Sequence, residues 1–387
     1  MRINFNRLKE NMMELAQIGK DPAGGITRVG FSEEEKKAQN WLKEKLDNIN
    51  INNEFDSVGN LIAYYPGESN QDIIIGSHLD TVPQGGMYDG ALGVLAGLEV
   101  IETLKENNIK LDYGVRLASF VAEEGSKAGG TFGSRCVAGQ ISNVSDKILS
   151  MVNLTNQGIK ESAFDIKKIK CYLELHIEQG GVLDTEDIEI GVVTGIVGIQ
   201  RFEVIINGKA NHAGTTPMDL RDDALIKTTF FIQDFYNLIN NSEENIVGTI
   251  GSLEVKPGAV NVIPGRVEFL IEMRGMNFDC TDKVINSLKE KYNDSDYKFE
   301  EITRKSSVHL NEDIIKTIQE TCKDLNYNNK LIQSGAGHDA NSIAKIAPSG
   351  MIFVPSVNGV SHSPEEYSRW EDIEKAANVL LSVVLKI

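Results

Sequence analysis

The 387-residue sequence is short of cysteine, proline and positive charge, and it has no long apolar run. Its four cysteines, Cys136, Cys171, Cys280 and Cys322, are far apart and form no C-x-x-C pair. This spacing disfavours a disulfide framework or a thiolate metal site and predicts reduced, buried thiols. No stretch approaches the roughly 20 apolar residues of a membrane span, and residues 1–19 lack the apolar core of a signal peptide. We therefore expect a cytoplasmic protein without a membrane partner.

The balance of charge narrows the classes of partner. Acidic residues outnumber basic ones by 56 to 39, which gives a formal net charge of −17. Such a surface repels the phosphates of nucleic acids, so we expect no nucleic-acid partner, whereas cations are attracted. A hydrophobic fraction of 41% and 35 glycines against nine prolines are typical of a globular enzyme with many tight turns.

The order of the predicted elements indicates an α/β fold interrupted by a second domain. Strands at 72–77, 114–125 and 171–180, with a helix at 90–108, predict a mostly parallel sheet with functional residues at the carboxyl ends of its strands. From about residue 199 the pattern alternates with period two, as in 201–210, 247–255 and 266–276. Helical stretches at 219–241 and 281–293 separate these strands. They predict an inserted α+β domain with helices on one face of an antiparallel sheet.

The predicted organisation has two domains, because the chain exceeds the size at which one hydrophobic core keeps growing. The catalytic domain comprises residues 1–198 and 310–387, and the inserted domain comprises residues 199–309. A helix at 311–326, a strand at 350–355 and a closing helix near 370–385 return to the first pattern.

Histidine is scarce, but its placement indicates a metal site. Five of the six histidines lie among glycines or carboxylates, and these are His78, His176, His212, His338 and His362. Imidazole and carboxylate ligands without cysteine suit Zn, Mn, Co or Ni, and three protein ligands per ion leave an open position for water.

Four carboxylates accompany these histidines. Asp80 is two residues from His78, so its side chain can accept a hydrogen bond from one imidazole nitrogen while the other nitrogen binds metal. Asp89 precedes a predicted helix, where it can bridge two cations or act only as an N-cap. Glu123 and Glu124 follow an apolar strand, and they predict one metal ligand and one proton shuttle.

Five motifs in register, spread over nearly the whole chain, resemble the M20 metallopeptidase superfamily. They are "SHLDTVPQGGMYDG", "VAEEG", "ELHIEQG", "NHAGTTPM" and "GVSHSPEEY". The similarity is specifically to the amidase branch of N-carbamoyl-L-amino-acid hydrolases and allantoate amidohydrolases, because His176 stands where the peptidase relatives typically have Asp. Glu272 departs from the pattern, since many relatives have Asp there.

The resemblance implies a site with two divalent metal ions. Asp89 would bridge the ions, His78 and His176 would complete one, and Glu124 and His362 the other. Glu123 would be the general base. The substrate would be a small ureido or amide compound with a carboxylate, cleaved to ammonia and carbon dioxide.

The resemblance also implies that the inserted domain is a lid through which the protein forms a homodimer. Its expected substrate contacts are His212, which can donate to the developing oxyanion, Asn261, and Arg274, whose guanidinium can bind a carboxylate bidentately. Without the resemblance, the pattern predicts only that Arg274 forms an exposed salt bridge on a strand. Gln179, Gly337 and His338 are further expected contacts, the last two in a Gly-rich loop at 334–340 that leads into a helix.

Two alternatives remain open at this stage. One is an aminopeptidase or aminoacylase of the same superfamily, and the other is a scaffold without catalysis. The presence of every expected ligand disfavours the scaffold.

Overall fold

The computed structural model describes residues 1–387, and the chain divides into two compact units. The first unit comprises Met1–Ile196 and His309–Ile387, and the second comprises Val197–Val308. No helix is long and apolar enough to cross a membrane. All four cysteines are free and buried, which confirms the prediction made from their spacing.

Thirteen strands and twelve α-helices make up the two units. The strands are β1 (Asn52–Phe55), β2 (Leu61–Tyr65), β3 (Asp72–His78), β4 (Gly114–Phe120), β5 (Ile169–Ile177), β6 (Ile190–Ile196), β7 (Gly198–Asn207), β8 (Val247–Lys256), β9 (Arg266–Gly275), β10 (Tyr297–Lys305), β11 (Val308–His309), β12 (Asn329–Ser334) and β13 (Ser349–Val354). The helices are α1 (Phe5–Leu15), α2 (Glu33–Asn48), α3 (Ala91–Glu106), α4 (Phe132–Val137), α5 (Asp146–Val152), α6 (Asn156–Glu161), α7 (Val182–Thr185), α8 (Ala224–Asn240), α9 (Phe278–Lys291), α10 (Glu312–Asp324), α11 (Ala340–Ile343) and α12 (Trp370–Val384).

The large sheet has a parallel centre. Its strand order is β1-β2-β4-β3-β5-β13-β6-β11, with β12 paired to β6. Strands β4, β3, β5 and β13 are parallel to one another, whereas β1–β2, β2–β4 and β13–β6 are antiparallel. This confirms the predicted α/β class with a mostly parallel sheet. All seven residues of β3 are buried, as expected for a strand with both of its faces covered.

The register of the parallel strands determines where polar side chains meet. His78 is paired with Phe120 across β3 and β4, and His176 with Phe353 across β5 and β13. The carboxyl ends of four neighbouring strands therefore lie along one edge. Helix α3 begins near this edge and is buried from Ala91 through Leu104, so the sheet end rests on a rigid apolar layer.

The second unit is an antiparallel sheet with strand order β10-β7-β9-β8. Buried and partly exposed residues alternate along β7, which is the pattern of a sheet with one covered face. Residues of α8 and α9 share a core with this face, for example Phe231 and Leu288 with Val267. The α+β character of the inserted segment is as expected, and its role as a lid stays a prediction.

Two predicted elements have an end that differs by five residues from the structure. The strand predicted at 114–125 ends at Phe120, because the chain turns at Ala122 with a φ of 54°. The helix predicted from residue 219 begins at Ala224, since the Asp223 side chain caps it by accepting from the amides of Leu225 and Ile226. Glu123 and Glu124 consequently lie in a loop after β4 rather than on the strand.

Candidate active site

The first unit gathers the predicted ligands at the carboxyl edge of its sheet. His78 is the last residue of β3, and His176 lies near the end of β5. Asp89 precedes α3, Glu124 follows β4, and His362 lies in the segment between β13 and α12. Side chains far apart in sequence thereby form two clusters that share Asp89.

The first cluster consists of His78, Asp89 and His176, all buried. Asp89 Oδ1 is 3.0 Å from His176 Nε2 and 3.6 Å from His78 Nε2. Each imidazole places its Nδ1 beside a main-chain carbonyl, that of Asp80 at 3.0 Å and that of Ile177 at 2.9 Å. Because a carbonyl oxygen only accepts, Nδ1 carries the proton in the neutral ring, and Nε2 presents its lone pair to the cluster.

The second cluster consists of Asp89, Glu124 and His362. His362 Nε2 is 3.3 Å from Asp89 Oδ2 and 3.3 Å from Glu124 Oε2. Glu124 Oε1 is buried without a hydrogen-bond partner. The two carboxylate oxygens of Asp89 therefore face different clusters, which is the geometry of a bridging ligand.

The charges of the clusters show that the donor set fits divalent cations. Burial disfavours the charged form of Asp89, yet the neighbouring imidazoles lower its pKa well below the usual value. Burial raises the pKa of Glu124 to about 7, with the Asp89 charge adding to the effect. Carboxylates and imidazoles this close together match the ligand chemistry of a divalent cation. The buried Glu124 Oε1, which has no hydrogen-bond partner, is a further oxygen that could bind one.

Glu123 is close to the clusters but belongs to neither. Its Oε2 lies 3.8 Å from His78 Nε2, and the side chain is only 9% exposed. Burial, opposed by the His78 charge and reinforced by the charge of Asp339, raises the pKa of Glu123 well above its usual value. A carboxylate with a raised pKa beside such a cluster is suited to accept and return a proton.

Asp80 supports both the histidine and the glutamates, by contacts that differ from the predicted one. Its main-chain oxygen, not its carboxylate, is the nearer acceptor for His78 Nδ1, since the carboxylate Oδ1 is 3.4 Å away. The carboxylate accepts instead from the amides of Glu123 at 3.0 Å and Glu124 at 3.1 Å. The reason is that the loop after β4 passes beside Asp80 and supplies two N–H groups that need a buried acceptor.

The N-cap alternative for Asp89 is wrong. The N-cap of α3 is Gly90, with no side-chain cap. Gly90 has a φ of 64°, and a Cβ there would lie 2.3 Å from the His78 ring. Glycine is thus required for Asp89 and His78 to approach each other.

The sequence patterns did not identify Glu366, whose side chain fixes the main chain at Asp89. Glu366 Oε1 accepts from the amides of Tyr88 and Asp89, both at 3.1 Å. Ser361 Oγ joins the two carboxylates, at 3.3 Å from Asp89 Oδ2 and 3.2 Å from Glu366 Oε2. The available signal was the second glutamate of "HSPEEY", which nothing in the local pattern distinguishes from a solvated charge.

Three further predicted contacts belong to the first unit. Gln179 Nε2 donates to Asp89 Oδ2 at 2.7 Å and is 3.3 Å from His362 Nε2, so this residue reaches the second cluster. His338 is only 2% exposed, stacks edge-on against His176 with ring centroids 4.4 Å apart, and is 2.8 Å from Ser334 Oγ. Gly337 beside it is exposed, and the helix that follows has only four residues.

The remaining predicted contacts lie in the second unit. His212 and Asn261 are exposed. His212 Nδ1 accepts from the amides of Gly214 and Thr215 at 3.0 and 3.2 Å, which leaves the proton on Nε2. Arg274 forms an ion pair with Glu272 at 2.7 Å, as the salt-bridge alternative expected. Their contacts with substrate stay predictions.

The fold and the two clusters together define a hydrolase of peptidase family M20/M25/M40, and residues 74–386 match the profile of that family. The chain belongs to this family. It is 34% identical to the N-carbamoyl-L-amino-acid amidohydrolase of Pseudomonas sp. (strain NS671), with 99% of this chain and 98% of the relative covered. It is 32% identical to the allantoate amidohydrolase of Escherichia coli (strain K12), with 98% and 97% covered.

A solved structure shows the same relationship. An amidase of the hydantoinase/carbamoylase family from Burkholderia multivorans is similar to this chain with a TM-score of 0.90 at 30% identity, covering 100% of this chain and 98% of that one. These relatives confirm the resemblance to the amidase branch.

Proposed function

We propose that the protein is a dinuclear metal-dependent amidohydrolase that cleaves the ureido C–N bond of an N-carbamoyl-L-amino acid or an allantoate-like substrate. The proposal rests on the orientation of the Asp89 carboxylate. Its Oδ1 faces His78 and His176, whereas its Oδ2 faces His362. The names of the similar amidohydrolases support the substrate class.

The proposed ligand sets follow the two clusters. His78 and His176 would hold one divalent ion, Glu124 and His362 the other, and Asp89 both, with Zn, Mn, Co and Ni all compatible with these donors. When bound, the ions polarise the scissile carbonyl and lower the pKa of the attacking water. Asp80 and Glu366 would keep the ligand-bearing segments in place through the amides they accept.

Glu123 is the proposed general base. Its carboxylate takes a proton from the water that attacks the ureido carbonyl carbon, and it returns that proton to the departing nitrogen. The products are the free amine or amino acid, ammonia and carbon dioxide. Burial of Glu123 supports this role, because a raised pKa makes its carboxylate a stronger base.

The proposed substrate contacts come from both units. His212 would donate its Nε2 proton to the developing oxyanion, which the two amides on Nδ1 favour by fixing the tautomer. Arg274 would bind the substrate carboxylate in exchange for Glu272. Asn261, Gln179, Gly337 and His338 are the other proposed contacts, and the second unit would act as a lid and dimerisation domain.

The experiment is ammonia release by purified protein reloaded with Mn²⁺ or Zn²⁺. The substrates are allantoate, a panel of N-carbamoyl-L-amino acids and several dipeptides, each also tested after chelation. Turnover of a ureido compound that chelation removes, with two equivalents of metal per chain, is the expected result. Turnover of dipeptides alone would place the protein with the aminopeptidases, and one equivalent of metal would contradict the dinuclear site.

A further inference from the structure

The loop that carries Glu123 is held at its amides by side chains from elsewhere in the chain, while the carbonyls of residues 121–123 accept from main-chain amides at 2.7 to 3.1 Å. Four successive amides, those of residues 121–124, each donate to a side-chain oxygen rather than to a neighbouring strand. The acceptors are Asn60 Oδ1 at 2.9 Å, Glu35 Oε1 at 2.8 Å, Asp80 Oδ1 at 3.0 Å and Asp80 Oδ2 at 3.1 Å. These three residues therefore fix the amide side of the loop that positions Glu123.

The loop needs such support because of its backbone conformation. Ala122 has a φ of 54°, in the left-handed region that residues with a Cβ rarely adopt. A conformation of this kind persists only where the surroundings determine it. At the strained residue itself, the Ala122 amide donates to Glu35, and the Ala122 carbonyl accepts from the Phe132 amide at 3.1 Å.

Glu35 is a buried carboxylate with two different partners. It is 2% exposed and lies in the first turn of α2, three residues after the Ser32 N-cap. The Ser-x-x-Glu spacing is that of a capping box, in which the glutamate would bond only near its own helix start. Here one carboxylate oxygen of Glu35 accepts from the Phe31 amide. The other accepts from the amide of Ala122, 87 positions away along the chain.

The segment before Glu35 fits the same loop closely. A Cβ on Gly30 would lie 2.6 Å from the Ala122 Cβ, so only glycine fits there. Arg28 is fully buried and donates to the carbonyls of Leu79, Leu15 and Ile18 at 2.8 to 3.1 Å. The segment is thereby fixed against the strand end that bears His78. All of it precedes residue 74, where the match to the family profile begins.

We infer that Glu35 is a positioning residue for Glu123, acting through the Ala122 amide to fix the base-bearing loop. The inference rests on the proposed role of Glu123 as general base. Glu35 does not touch the clusters itself, and its effect passes through one main-chain hydrogen bond. A residue with only a helix-capping role would change stability and leave the loop and the chemical step unaltered.

The test compares Glu35→Ala with Glu35→Gln and with Glu99→Ala. Glu99 is the matched control, because it is also a fully buried carboxylate that accepts from a main-chain amide, that of Asn4, but lies on α3 away from the loop. Glu35→Gln keeps the length of the side chain and one carbonyl oxygen that can accept from Ala122. Two quantities are measured on metal-loaded protein, amide hydrogen exchange in residues 118–126 and the separate values of kcat and KM.

Glu35→Ala should speed exchange of the 121–124 amides and lower kcat about 10- to 100-fold with little change in KM, since displacement of a reacting group by about 1 Å has an effect of this size. Glu35→Gln should recover most of both quantities. Glu99→Ala should lower the unfolding temperature without altering either. Wild-type exchange and kcat in Glu35→Ala would overturn the inference, as would a change in KM alone.

The exchange measurement separates this inference from the proposed function. If the wild-type protein turns over no ureido substrate, the proposed function fails, yet exchange still shows whether Glu35 holds the loop. If Glu35→Ala does not fold, Glu35→Asp decides alone, because it keeps the charge but its shorter side chain cannot reach the Ala122 amide. Wild-type exchange of the 121–124 amides together with wild-type kcat in that variant would refute the inference.

Discussion

The pair Glu123 and Glu124 offers the sharpest test of the site, because adjacent residues are assigned different chemistry. Glu123→Gln should abolish ammonia release while metal content stays at the wild-type value. Glu124→Gln should lower the metal content, because Glu124 Oε2 lies 3.3 Å from His362 Nε2 within the second cluster and an amide provides no charge for a cation. The two variants differ by one position and remove the same charge.

The expected decrease in kcat for Glu123→Gln follows from the proposed role of Glu123 as general base. General acid–base catalysis contributes about 10²- to 10⁴-fold, and Glu123 would act twice, on the water and on the leaving nitrogen. We therefore expect kcat to fall about 10⁴-fold, equivalent to about 5.4 kcal/mol at about 1.36 kcal/mol per tenfold change.

The Glu123→Gln substitution should not lower the stability of the fold. Burial raises the pKa of Glu123 in the folded protein, so this residue stabilises the fold only while it is protonated, and that contribution is lost as pH rises through the folded pKa. Gln mimics the protonated form at every pH. The metal-free variant should consequently unfold at a temperature no lower than the metal-free wild type above neutral pH.

The assay is ammonia release with elemental metal analysis and thermal unfolding on the same preparations. A fully active Glu123→Gln would remove this residue from the role of base. A metal content that falls equally in both variants would show that Glu123 is itself a ligand, and the division of labour between the two glutamates would be wrong.

Three further predictions follow from other contacts. Arg274→Ala should raise KM for carboxylate-bearing substrates far more than for a neutral amide analogue, and an equal loss on both would argue against carboxylate recognition. Gly90→Ala, whose Cβ would meet the His78 ring at 2.3 Å, should lower the free energy of unfolding by about 1–3 kcal/mol and weaken metal binding. Gly251→Ala, with open space around its Cβ, is the matched control by the same assays. Chelation should lower the unfolding temperature, because metal at about 1,000 times its Kd stabilises a site by about 4 kcal/mol, and an unchanged temperature would contradict cation binding.

Sequence patterns predicted the parts of the fold that repeat over several residues. Strand β3 appeared within one residue of its true end, and α3 within two, because long apolar runs and helical spacing are local properties. Six strands were not predicted, namely β1, β2, β6, β10, β11 and β12. Strand β1 is the plainest case, because its residues are mostly exposed, no alternation of apolar and polar side chains marks it, and only pairing with β2 makes it a strand.

Four candidate ligands, His78, Asp89, Glu124 and His176, were identifiable for a similar reason, since each lies near a strand end or helix start that the pattern reveals. His362, which lies between β13 and α12, was identified from its carboxylate-rich neighbours and the family motif. The supports of these ligands were not identifiable. Glu366 and Glu35 look like ordinary surface charges in the sequence, and they become recognisable only when the fold brings them to amides 277 and 87 positions away. The burial of His338 is likewise a tertiary effect, because its Gly-rich neighbours suggest an exposed loop.

The residues proposed to bind metal and those of the second unit proposed to contact substrate lie in different environments. The residues assigned to the clusters are mostly buried in the first unit and held by buried partners, so substitution at almost any of them leaves a buried charge or amide without a partner. His212 and Asn261 are exposed in the second unit, where changes disturb little packing. Substrate preference can therefore change while the clusters stay the same. Relatives at 34% and 32% identity are named for different substrates, as this division predicts. A substrate panel, rather than overall identity, therefore decides between N-carbamoyl amino acids and allantoate.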